Sequence, residues 1–330
     1  MTSSRRAFGL AVLITTALAA LLAGISAGHI ADPPPPALLA FDPGPFTRWG
    51  GPLLRLVGTT TAVLTVGSLL GMVLLGGPTE HRRTTDSLRR GARRLALTTA
   101  ATLAFQAMLG ISAIVGKPVL DIPPADVVAC LTSPSIAYCL AGSAGFLTLA
   151  VLTRTTVLPL TLLTVAMVAV CLPFLGGHPS SASNHVINVA MIVAHVVCAA
   201  LWVGGVAVLV FIGAVRGDRA ALRVALPKLS RLALVCAAVT AASGLGSLLA
   251  RIPEADGFSR TYLLLVLAKA AGLAGLVAFG AWHRRHSVPT VARGGSPERF
   301  LYTGFAEAVV MTAVVATATV LSQTPPGGPG

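Results

Sequence analysis

Ionic residues are scarce in this chain: Asp, Glu, Lys and Arg make up 11% of its 330 residues, less than half the roughly 25% usual in a soluble domain. Aromatic residues are also few, at 5%. Acids are rarest, with 11 Asp and Glu against 24 Lys and Arg. A water-soluble enzyme of this size is excluded on that composition. The five cysteines are scattered, with no CxxC pair and no zinc-finger spacing, so no disulfide framework is indicated. Also missing are a GxGxxG turn, a P-loop and a nucleophile elbow, the elements that would anchor nucleotide chemistry or acyl transfer. The chain reads as a non-enzyme.

Long apolar runs are what it does have. Mean hydropathy is +0.83, and residues 56–79, 95–116, 155–177 and 232–250 contain no charge. Since about 20 apolar residues cross a bilayer, the fold class is all-α, a polytopic bundle. Nine spans are predicted, at 8–30, 53–77, 94–116, 134–152, 156–175, 185–213, 228–250, 261–282 and 301–322. Arg5 and Arg6 before the first run also suit a signal peptide. The length of that run, and the want of a clean cleavage site before His29, favour a retained span.

The net charge of +13 does not indicate nucleic acid, because the basic residues sort by loop. One alternate set of loops, from Arg5 and Arg6 through the 82–94 cluster to Arg299, holds 18 basic residues and four acids. The other set holds five basic residues (Arg48, Arg55, Lys117, Arg251 and Arg260) and six acids. Basic loops stay cytoplasmic, so a cytoplasmic N-terminus and an external C-terminus are expected, in the cytoplasmic membrane. The organisation expected is a five-span region over 1–176, a four-span region over 177–326 and a flexible tail at 327–330.

Polar groups inside a bilayer are costly and therefore informative. His29 ends the first span, while His178 and His185 flank one short external loop. His195 lies ten residues beyond His185, about 15 Å deeper at 1.5 Å per residue. On the sixth span His185, Asn188, Ile192, His195, Ala199 and Trp202 follow the spacing of one helical stripe. Met191 lies one turn before His195 and Cys198 one turn after it. Such a stripe either bonds to a neighbouring helix or lines a site. Imidazole and thioether together suit copper, with zinc second. The candidate ligands are His178, His185, His195, Met191 and His29. Haem is the lesser alternative, since His195 lacks a second histidine at its own depth.

Lys269 and Glu307 are the remaining intramembrane charges. Both have long side chains, so an ion pair between the eighth and ninth spans is geometrically possible; a proton or ion relay is the alternative. His81, His283 and His286 sit among arginines and are expected to be solvated. Gly67, Gly71, Gly204 and Gly205 read as helix-packing positions.

The run Gly177-His178 to His185, continued by His195-Val-Val-Cys-Ala-Ala-Leu-Trp202-Val-Gly204-Gly205, resembles the copper-resistance CopD family in its actinobacterial form. Lys269, the Trp282-His283-Arg284-Arg285 end, Glu307, Leu321-Ser-Gln-Thr-Pro-Pro326 and Asp42-Pro-Gly-Pro-Phe-Thr-Arg-Trp49 fit the same pattern. The resemblance implies copper homeostasis at the cell membrane, by import or by delivery. An external copper chaperone or a cytochrome oxidase assembly factor would be the partner, besides the copper ion and the lipid bilayer. In many relatives this part is fused to a module like the oxidase assembly factor CtaG; a non-transporting assembly factor for a respiratory oxidase is a separate alternative.

Overall fold

A computed structural model describes residues 42–76, 80–176, 185–249 and 260–321. The described residues form helices, turns and loops, with no strand among them. The helices are α1 (Gly44–Leu75), α2 (Arg82–Val115), the short α3 (Pro124–Cys130), α4 (Pro134–Leu152), α5 (Pro159–Leu175) and α6 (His185–Val210). They continue with α7 (Arg219–Leu249), α8 (Arg260–Trp282), the short α9 (Val288–Ala292) and α10 (Glu298–Leu321). Two π-helical turns, Phe211–Arg216 after α6 and His283–Ser287 after α8, extend their helices toward the basic loops.

Six helical segments among the described residues are long and apolar enough to cross a membrane. The 17-residue α5 is a shorter apolar helix, and α10 forms over 24 residues. The predicted first span lies outside the described residues. The largest departure from the predicted limits is at α2, which begins at Arg82 rather than at residue 94. Arginine is a good helix former, and Leu88, Ala92 and Ala96 give this basic segment an apolar stripe that is buried in the bundle. Its polar face also carries structure: Arg89 donates to the carbonyls of Thr155 at 2.7 Å and Val157 at 3.4 Å, fixing the α4–α5 turn.

α1 is the central helix. It packs on α2, α5, α6 and α7, while α2 and α5 both pack on α4. α6 carries α7 and α10 on its other side, and α8 lies outside them against α10. Close approach of α1 to α6 is set where Gly67 meets Gly204: a Cβ at Gly67 would run into the Gly204 carbonyl, and one at Gly204 would stand 2.8 Å from the Gly67 nitrogen. Only glycine allows two helix backbones this close, as the glycine pattern led us to expect.

Buried residues from α1, α2, α4, α5, α6, α7, α8 and α10 share one apolar core. Polar side chains tie the basic-loop end of the bundle together. Lys228 of α7 donates to the Leu74 carbonyl at 2.7 Å, satisfying one of the acceptors left open at the end of α1. Asp218 caps α7 by accepting from the Ala221 N–H at 2.9 Å and also accepts from the Thr84 hydroxyl at 2.6 Å. Burial pushes the Asp218 carboxyl up. The Thr84 and Ala221 hydrogen bonds and the charges of His81 and Arg216 outweigh that and hold it below the usual carboxylate range.

Candidate metal centre

Within the predicted polar stripe of α6, His195 faces α7. His195 Nδ1 lies 3.1 Å from the Ser243 Oγ of α7. Ser243 has one hydroxyl proton, and its nearest acceptor is the Val239 carbonyl at 2.7 Å. With that proton committed, Ser243 receives a hydrogen bond from His195 Nδ1–H, and the Thr240 carbonyl lies within reach of the same ring. Nε2 then keeps its lone pair, the form in which imidazole binds a metal.

Met191, one turn toward the His185 end, is brought against the same helix. Two glycines of α7 make room for the pair. A Cβ at Gly244 would stand 3.7 Å from His195 Cε1, and one at Gly246 would stand 3.0 Å from Met191 Sδ. Imidazole and thioether thus share one seam. Lys269 of α8 lies within electrostatic range of His195.

The other three predicted ligands are placed less fully. His185 is the first residue of α6; His29 and His178 lie outside the described residues. Among the described residues, no cluster of three or more His, Cys, Asp or Glu groups is placed to hold a metal. The seam between α6 and α7 supplies one imidazole and one thioether, donor types that soft ions take.

Lys269 and Glu307 are not brought together. Glu307 Oε2 lies 3.3 Å from His283 Nε2, with both side chains under one-tenth exposed. The antiparallel register explains it: a Cβ at Gly272 would meet Val314, so residues near His283 fall opposite Glu307. Lys269 lies 14 residues before His283, about 21 Å along the helix, nearer the level of Thr317.

His283 and His81 are buried rather than solvated. Only His286 stays exposed, stacked on Trp282 with ring centroids 5.3 Å apart. Sequence reasoning missed His283 because Arg284 and Arg285 follow it directly. The available sign was Ser287, four residues on, whose Oγ lies 3.2 Å from His283 Nδ1.

A cavity of about 260 Å³ lies between α6, α7, α8 and α10 and reaches this pair. Trp202 is in its wall. The stripe that carries Met191 and His195 on one half of α6 therefore ends at the cavity on the other.

Both the seam's second helix and the His283–Glu307 pair lie within a recognisable stretch. Residues 223–321 match the family model of CopD, copper resistance protein D. The matched CopD segment covers nearly all of α7 and the whole of α8, α9 and α10; α6, with Met191 and His195, precedes it. No curated protein and no solved structure matches the chain.

Proposed function

We propose that this protein is a copper-binding integral membrane protein that imports copper, or delivers it, across the cytoplasmic membrane. The observation that carries this reading is the position of His195. Its ring is oriented by Ser243, a residue of the CopD-matched segment, with Met191 one turn away on the same seam. Neutral imidazole and thioether donors suit Cu(I), because they bind it without adding a buried negative charge.

In this reading nine helices span the membrane, with the N-terminus cytoplasmic and the C-terminus external. His178 and His185, joined by His29, take copper at the external face and pass it inward to Met191 and His195. Lys269, within electrostatic range of His195, stabilises the bundle or couples ion movement. No nucleotide-binding element is present in the sequence, so movement is driven by a gradient or by transfer to a partner.

Copper accumulation in cells expressing the chain tests this directly. Cells with the wild-type protein accumulate more copper than cells with His195→Ala/Met191→Leu at equal membrane abundance. Equal accumulation in the two would overturn the reading.

A further inference from the structure

His283 and Glu307 are a buried titratable pair with no part in copper ligation as proposed above. Four observations set them apart from a simple structural bridge. They line the cavity, whose wall also includes the exposed side chains of Arg284 and Arg285. The Nε2–Oε2 contact of 3.3 Å is off the hydrogen-bond direction, because Nε2 makes no hydrogen bond of acceptable geometry. A π-helical turn begins at His283, and the wider turn departs from the regular course of the helix here, a feature concentrated at functional sites. On the ring's other nitrogen stands the Ser287 hydroxyl, which can donate or accept as the ring changes state.

The surroundings decide which ligand suits the pair. Phe300 packs edge-on against the imidazole, with centroids 5.4 Å apart. α6 and α7 contribute Trp202, Leu229 and Ser230 to the wall, none of them charged. The charged side chains of the wall besides the pair are Arg284 and Arg285, and Arg284 is tethered by donating to the Ser230 carbonyl. Two guanidinium groups in the wall disfavour a resident metal cation, and the ligand left to the pair is the proton, which imidazole and carboxylate bind covalently.

We propose that His283 and Glu307 form a proton-exchange site at the cytoplasmic end of the bundle, reached through this cavity. With imidazole and carboxylate both unprotonated the pair carries one negative charge. Uptake of one proton from cytoplasmic water forms an N–H or O–H bond and makes the pair neutral; its release restores the charge. Coupling of this proton to copper movement rests on the copper reading above, while the exchange itself does not.

Infrared difference spectra of the purified full-length protein during a pH titration test the exchange. The wild type shows one titrating step, in the carboxyl or imidazole bands, that is lost in both Glu307→Gln and His283→Asn. Ser287→Ala, which removes no charge, keeps the step and displaces its midpoint. A wild type without the step, or a step that survives in Glu307→Gln, overturns the proposal.

Vesicles loaded with a pH-sensitive dye test the coupling. Copper uptake is accompanied by proton movement in the wild type, and Glu307→Gln loses that movement. Copper uptake without proton movement overturns the coupling. A titrating pair in vesicles that take up no copper overturns the transport reading and leaves the proton site standing.

Discussion

Glu307 Oε2 and His283 Nε2 stand 3.3 Å apart, both side chains buried, 24 residues distant in sequence and on different helices. Removing one member leaves the other buried without its partner, and an unpaired buried polar group costs about 1–3 kcal/mol. Glu307→Ala and His283→Ala are therefore each expected to lower the unfolding temperature of detergent-purified protein. The double variant should lose about 1 kcal/mol or more less than the sum of the two, the mark of a coupled pair. Strict additivity in this cycle would mean that the contact contributes nothing.

A second prediction concerns the α1–α6 crossing. Gly67→Ala places a methyl group against the Gly204 carbonyl, and forcing the helices apart should cost about 1–3 kcal/mol. Gly91, within α2, has open space around its Cβ position. Gly91→Ala is expected to be neutral or to stabilise by up to about 1 kcal/mol, through helix propensity. Thermal unfolding of the two variants side by side checks the contrast, and equal effects would contradict the close approach.

Asp218 gives the stability a pH dependence of known sign. Its carboxyl is held below the usual range, so the folded state favours the charged form. The resulting stabilisation is complete above the ordinary carboxylate value of about 3.9. It is lost as pH falls through the lower folded value. Asp218→Asn should therefore be less stable than wild type near neutrality, and the difference should close in acid. Unfolding curves across that range measure it. A difference that is constant with pH would assign the effect to the cap geometry rather than to charge.

Much of the bundle was legible in the sequence, for physical reasons. The predicted span 134–152 coincides with α4, which Pro134 opens and Thr153 closes. The α6 stripe was legible because helical spacing alone puts Met191 and His195 on one face. Charge misled at α2, where the arginines lie within the helix and do not mark its end. What lies opposite a residue was not legible. Ser243, Gly244 and Gly246 are unremarkable in their own helix and acquire meaning only across the seam. The register of α8 against α10 likewise decides that Glu307 meets His283 and not Lys269, and no local pattern encodes that register.

Ser243 has a testable role through the His195 ring. It accepts the Nδ1 proton and so fixes the tautomer that leaves Nε2 free. Ser243→Ala should weaken copper binding by about tenfold while leaving the fold intact, as is typical when the partner of a ligating histidine is removed. Competition titration with a Cu(I) chelator measures the change. An unchanged affinity would separate His195 from the metal.

The copper reading itself is tested most directly by metal content. Wild-type protein is purified in detergent, loaded with Cu(I) under reducing conditions, and compared with the His178→Ala/His185→Ala/His195→Ala variant, with an optical spectrum of each. Close to one copper per wild-type chain is expected, lost in the variant, with no haem absorption in either. Full copper occupancy in the variant, or none in the wild type, would contradict the account.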